Sequence, residues 1–366
     1  MLQNCIFVIG YCFHSTAIMA TLHSKPNFSH AQVVEMVTRL FSLTPSEIRP
    51  LPSYDDQNFY VSCMEGGEYV LKIMNSEDSK NPSMIEVQTY AMSVLHQNGL
   101  PAQTALRNAA GQLMSLEEMD CGNGVRKYLV RLLTYLPGTT ISKVPLTPQL
   151  LYETGKMAAR MDQILQKMEH PHLGLLEREN FIWSLLNVLQ LEAHLNILEG
   201  DPLEEVVKSV IHQYKTSVTP KRSNFRKCIN HGDFNDLNVL VQPDESDGHR
   251  ISGILDFGDM NSGYYIHELA IAIMYMMTEH PEPVEEGRPH SPSTLGAWKG
   301  AGREGLVPEC SSVRRQIVRK MEGETVIRFQ RTVEVPKMSA SLITQIQMDL
   351  FGDKVNLKSL LLFSFF

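Results

Sequence analysis

The stretch RKCINHGDFNDLNVL at Arg226–Leu240, followed by RISGILDFG at Arg250–Gly258, constrains this chain more than any other feature. Val239–Gln242 and Ile251–Leu255 are β-branched and aliphatic runs, and Pro243–Arg250 between them carries Pro, Asp, Ser, Asp and Gly. That composition specifies an antiparallel hairpin. The start of its first strand then lies beside the end of its second, so Asn238 and Asp256 meet at one end. Asp233, five residues before Asn238, sits on the loop feeding the hairpin. Three oxygen-bearing side chains therefore converge on one point.

An H-G-D-x-x-x-x-N element, followed 18 residues after its asparagine by D-F-G, suits phosphoryl transfer. Asp233 can accept the proton of an attacking hydroxyl. Asn238 and Asp256 can hold Mg2+, a hard cation that takes oxygen ligands and draws the rest from phosphates and water. The bland reading of Asp233 is a turn or capping aspartate, and its spacing to Asn238 and Asp256 disfavours that. His231 reads as a residue that packs and bonds backbone around the loop. Asp236 is given no role.

Lys72 carries the second constraint. In the alternating strand Glu68–Met74 it shares a face with Val70 and Met74, opposite Tyr69, Leu71 and Ile73. A lysine inside an apolar strand needs an anionic partner, and a nucleoside triphosphate is one. The alternative is an edge lysine facing solvent.

Apolar content of 43% and charged content of 20% are ordinary for a soluble globular protein, and 366 residues suffice for two lobes. A net charge of −8 argues against a nucleic-acid partner and is compatible with a cationic small substrate. The six cysteines are scattered with no C-x-x-C, which favours reduced thiols and a cytoplasmic location. The apolar runs Cys5–Phe13 and Leu357–Phe366 are too short to span a bilayer, so no membrane partner is expected. Met19 is an alternative start that would remove the first of them.

Periodicity places helices over Ala31–Leu43, with Asn27 or Ser29 as cap, and over Pro82–His96, Gln149–Met168, Phe181–Leu198, Leu203–Val218 and Ile266–Met277. Strands are expected at Phe59–Cys63, Tyr69–Met74, Gln112–Leu116 and Lys127–Leu133. A strand-rich part, a short Thr134–Gly138 connector and a helical part with a hairpin make an α+β, two-lobe plan.

Several segments carry a family resemblance: LPSYDDQNF (Leu51–Phe59), EYVLKI (Glu68–Ile73), KNPSMIEVQ (Lys80–Gln88), YLVRLLTYLPG (Tyr128–Gly138), QLLYETGKMAARMD (Gln149–Asp162) and RENFIWSL (Arg178–Leu185). NHGDFNDLNVL and SGILDFGDMNSGYY complete the set. With these the chain resembles the aminoglycoside phosphotransferase family, whose fold is similar to that of protein kinases. The likeness spans Asn27–Pro283. It implies a small β-rich N-lobe over residues 27–135, which binds nucleotide. A larger, mainly helical C-lobe follows over 136–283, with the catalytic hairpin and substrate site. Residues 1–26 are expected to be a divergent extension and 284–366 a divergent, poorly ordered tail, where the resemblance implies further helices.

The resemblance also implies roles. Glu86, on the helix after Lys72, would pair with Lys72. No G-x-G-x-x-G precedes Lys72; SYDDQN at Ser53–Asn58 stands in its place, with Ser53 and Asn58 near the phosphates. Asp55 and Asp56 would repel phosphates and should point away, toward a cationic substrate or solvent. The connector Arg131–Tyr135, with Leu133 and Tyr135, would meet the purine through its backbone, which leaves ATP and GTP undistinguished. Glu268, in H-E-L-A, either supports the catalytic loop or simply favours a helix N-terminus.

The family implies Mg2+, a nucleoside triphosphate donor and a small amino-alcohol acceptor. The branch matched most closely acts on a hydroxylated amino acid and implies GTP. Choline, ethanolamine and aminoglycosides stay open as acceptors. An inactive nucleotide-binding form also stays open, because the tail replaces part of the large lobe.

Overall fold

The computed structural model describes residues 25–278, apart from 122–123, 182, 201–202 and 245–247. Almost all of the N-terminal extension, and the tail from 284 onward, lie outside the described residues.

Helix α1 (His30–Phe41) begins at Ser29, whose side chain accepts from Gln32 N while the Gln32 side chain returns to the cap backbone. Val33, Met36, Val37 and Phe41 form its buried stripe. That stripe packs on a five-stranded antiparallel sheet of β1 (Pro45–Leu51), β2 (Gln57–Cys63), β3 (Glu68–Ile73), β4 (Ser115–Asp120) and β5 (Val125–Thr134). The order is β1-β2-β3-β5-β4. Because strand side chains alternate, Leu71 and Ile73 join α1 on one face while Val70 faces the central core. Lys72 shares the face of Val70.

Helix α2 (Pro82–Gln97) connects the sheet to that core through Val87, Ala91, Met92 and Leu95. The core continues into α3 (Pro148–Leu165) through Ala158, Met161 and Leu165, and into Phe234, Val239, Val241, Ile254 and Phe257. Residues 135–138 lead from β5 to β6 (Thr139–Thr140), the edge of a second sheet with β8 (Val239–Pro243) and β9 (His249–Ile254). The β8–β9 pair is antiparallel, with Val239 opposite Ile254. A short ribbon of β7 (Lys227–Asn230) and β10 (Asn261–Tyr264) brackets it in sequence. Helices α4 (Leu203–Gln213) and α5 (Tyr265–Thr278) complete the described part. The chain is an α+β fold with an antiparallel sheet lobe and a helical lobe.

Three elements differ from expectation. β1 is an exposed edge strand with prolines at both Pro45 and Pro50, so its pattern carries little apolar signal. The strand expected at Gln112–Leu116 begins at Ser115 and runs to Asp120. The helix expected over Phe181–Leu198 is instead a run of i→i+3 turns over Leu185–Leu198. There the buried side chains Leu185, Val188 and Leu191 recur every third residue, which matches three residues per turn.

Candidate active site

The loop Asn230–Asn238 is organised around His231, which is fully buried. Its Nδ1 accepts from Asp233 N at 3.3 Å, so the neutral ring carries its proton on Nε2 and donates to Leu255 O at 2.9 Å. Burial lowers its pKa to about 4, which keeps it neutral. Gly232 holds φ +87°, and a Cβ there would lie 2.2 Å from Asp259 O. Its N–H donates to Glu268 on α5 at 3.2 Å. Glu268 is fully buried, and its contact is with loop backbone. The loop is thus pinned from three sides before any ligand arrives.

Asp233 projects from that loop. Its Oδ1 accepts from Asn235 Nδ2 at 2.7 Å and its Oδ2 from Asn238 Nδ2 at 2.8 Å. Burial, and then the nearby Asp256 charge, push its pKa up to about 7, against the opposing pull of the two amides. Leu255 N donates to Asn238 O at 2.8 Å, which brings Asp256 to the same end of the hairpin as Asn238. The convergence expected from the hairpin is present. Asp256 adopts φ 55°, a left-handed conformation unusual for a non-glycine residue. Lys72 holds its carboxyl below the usual carboxylate range.

Lys72 lies 2.8 Å from Asp56 Oδ2 and 3.5 Å from Asp256 Oδ1. Burial works against its charge, but Asp256 and Asp56 outweigh it and keep its pKa above the ordinary lysine value. By strand register Lys72 sits between Asn58 on β2 and Arg131 on β5. Arg131 is also buried, donates to Thr89 Oγ1 at 2.8 Å, and has its pKa lowered to about 10 by burial. Asn58 Oδ1 is buried with no hydrogen-bond partner among the described residues. Ser53 Oγ donates to Asp56 O at 2.6 Å.

Two expectations need correction. Glu86 is exposed, between the buried Ile85 and Val87, and Lys72 pairs with Asp56 and Asp256 instead. Helical phase explains this: the inward polar residues of α2 are Thr89, which accepts from Arg131, and Gln88, whose Nε2 donates to Gly258 O at 3.0 Å. Asp56 does not point toward solvent; it is buried on Lys72. Leu133 is buried in the central core and bridges Ala105. Tyr135 N donates to Glu68 O at 3.0 Å, so that backbone donor is already engaged within the protein.

Sequence reasoning missed Asp56, Gln88 and Arg178. Arg178 Nη1 reaches Gly258 O at 3.0 Å and Met260 O at 3.4 Å. The helical spacing of Gln88 with the apolar Ile85, Met92 and Leu95 was the available signal for Gln88.

Mg2+ fits these residues. Asn238 Nδ2 is committed to Asp233, which leaves its Oδ1 as the ligand atom, and half of the Asp256 side chain is open to solvent. No cluster of three or more His, Cys, Asp or Glu able to hold a metal occurs among the described residues. The protein would supply Asn238 and Asp256, and phosphates and water the rest.

Residues 47–299 match the family model described as "Phosphotransferase enzyme family". This chain belongs to that family. It is 59% identical over 271 residues to hydroxylysine kinase of Danio rerio, covering 74% of this chain and 76% of the relative. It is 47% identical over 296 residues to hydroxylysine kinase of Bos taurus, covering 78% and 76%. In fold it is similar to amicoumacin kinase hAmiN in complex with AMP-PNP, Ca2+ and Ami, with a TM-score of 0.54 at 18% identity over 74% of each chain. Membership of the phosphotransferase family makes this chain a kinase acting on an alcohol group. No helix among the described residues is long and apolar enough to cross a membrane.

Proposed function

We propose that this phosphotransferase moves the γ-phosphoryl group of GTP to the hydroxyl of 5-hydroxy-L-lysine, giving 5-phosphohydroxylysine and GDP, as a cytoplasmic step of lysine degradation. The observation that carries the chemistry is Asp233, held by two side-chain amides and close enough to Asp256, an ion-pair partner of Lys72, to feel its charge. The identity to hydroxylysine kinases supports the acceptor. The branch resemblance supports GTP over ATP.

Asp233 orients the substrate hydroxyl through a hydrogen bond. The hydroxyl oxygen attacks the γ-phosphorus, the bond to the bridging oxygen of GDP breaks, and the hydroxyl proton passes to Asp233. Its raised pKa suits it to receive that proton late. Asn235 and Asn238 fix the carboxylate, so little reorganisation accompanies the step. Lys72 contacts the phosphates, and Asn58 and Ser53 lie on the strand and loop beside them. Mg2+, bound through Asn238 and Asp256, would neutralise phosphate charge. Leu133 and Tyr135 border the purine position. Cys63, Cys121 and Cys228 are free thiols, in keeping with a reducing compartment.

The test is GDP release by purified protein with hydroxylysine, lysine or choline as acceptor and with GTP or ATP as donor. Turnover with hydroxylysine and GTP, absent with lysine, supports the reading. Folded protein without hydroxylysine-dependent turnover defeats it.

A further inference from the structure

Lys72 is positioned from an unexpected direction. Its shorter ion pair is with Asp56, at the entrance to β2, rather than with any residue of α2. Asp56 is itself built into the fold and only 6% exposed. Its Oδ1 accepts from Asn75 N at 2.8 Å and Asn75 Nδ2 at 3.3 Å, which frees Oδ2 for Lys72. Asn75 is in turn locked, its Oδ1 accepting from Glu77 N at 3.0 Å and Asp78 N at 2.9 Å. Ser53 Oγ clamps the Asp56 carbonyl. The carboxylate therefore has one orientation, set by the chain on both sides of β3.

Charge balance makes this pairing consequential. Lys72 and Arg131 are neighbours in register and both buried, so two cations share a small volume. Of the carboxylates that act on them, Asp56 is buried while the Asp256 side chain is half exposed. Helix α2 brings only an uncharged group there, the Thr89 hydroxyl that accepts from Arg131 at 2.8 Å, and turns Glu86 outward. Removing a buried partner of a buried cation leaves that cation uncompensated.

We propose that Asp56 is the positioning residue for Lys72, so that the loop over the phosphates, and not helix α2, sets where the lysine sits. This rests on the reading of Lys72 as a nucleotide contact. The competing idea is that Asp56 occupies the phosphate position and must be displaced.

The experiment compares wild type, Asp56→Asn, Asp56→Glu and Glu86→Gln in steady-state turnover and in titration with fluorescent mant-GTP and Mg2+. Asn keeps the acceptor for Asn75 and removes the charge; Glu keeps the charge and shifts it by one methylene. The expected result for Asp56→Asn is a nucleotide KM and Kd raised about tenfold and a kcat lowered about tenfold, with the acceptor KM unchanged. Asp56→Glu should fall between the two, and it decides the matter should Asp56→Asn fail to fold. Tighter nucleotide binding by Asp56→Asn would overturn the proposal in favour of competition. So would unaltered kinetics in the Asp56 variants, or the loss appearing in Glu86→Gln. Wild-type protein that binds no nucleotide sinks the site reading and this inference together, whereas equal binding by wild type and Asp56→Asn sinks this inference alone.

Discussion

Asn238 donates from a single nitrogen to Asp233 twice, at 2.8 Å to the carboxylate and 3.0 Å to the backbone carbonyl. The amide thereby ties the side chain of Asp233 to the main chain that carries it. A carboxylate so restrained loses little rotamer freedom when a substrate docks, which is where positioning catalysis gains.

Replacing Asp233 by Asn should lower kcat by roughly 10²–10⁴ while leaving mant-GTP affinity within about threefold. The thermal midpoint should hold or rise, because a buried carboxylate has been neutralised. Stopped turnover with intact nucleotide binding is the signature to measure; a variant that retains wild-type kcat removes Asp233 from the reaction.

Asp256 sits at φ 55°, a conformation Asn adopts with modest strain and a β-branched residue does not. Asp256→Asn should therefore fold like wild type yet lose roughly hundredfold or more in turnover. Asp256→Val should lose turnover and about 1–2 kcal/mol of stability. Excess EDTA should abolish turnover with the far-ultraviolet circular dichroism unchanged. Denaturant melts and initial rates on the same preparations separate these outcomes.

Gly232 has no room for a side chain, since its Cβ would meet Asp259 O at 2.2 Å and the backbone is left-handed. Gly232→Ala should cost roughly 2–4 kcal/mol in urea unfolding and should displace the loop that bears Asp233. An alanine variant with wild-type stability and rate would contradict the loop geometry.

Burial raises the Glu268 carboxyl from its ordinary 4.5 to about 7, although the loop N–H groups oppose it. Between those two values the native state binds more protons than the unfolded chain, so this group makes stability fall as pH rises. Glu268→Gln can still accept from Gly232 N–H and does not titrate. Its stability relative to wild type should grow by on the order of 3 kcal/mol from pH 4.5 to 7. Parallel pH dependences for the two proteins would refute the assignment.

The hairpin and the meeting of Asn238 with Asp256 were legible because a turn-rich segment between two apolar runs is a local signal. The face of Lys72 was legible for the same reason, as strand alternation needs no knowledge of distant residues. Glu86 was misread because a glutamate at familiar spacing outweighed helix phase, although buried Ile85 and Val87 flank it on both sides. Asp56 was unreadable: its inward turn depends on Asn75, nineteen residues on, and only the pairing of β2 with β3 brings them together. The turns at Leu185–Leu198 escaped because its apolar residues, interrupted by Asn187, Gln190, Glu192, His194 and Asn196, fit periods of 3.0 and 3.6 about equally well.

Gly258 O accepts from Gln88 on α2 and from Arg178 on the other side of the cleft, each at 3.0 Å. One peptide oxygen thus fastens a helix of the sheet lobe and an arginine of the helical lobe to the residue two beyond Asp256. A swing of α2 cannot leave that peptide in place without baring the Gln88 donor, so helix tilt and the angle of the Asp256 carboxylate become a single mechanical variable. Any small molecule that wedges α2 outward would then turn the Asp256 carboxylate without touching it.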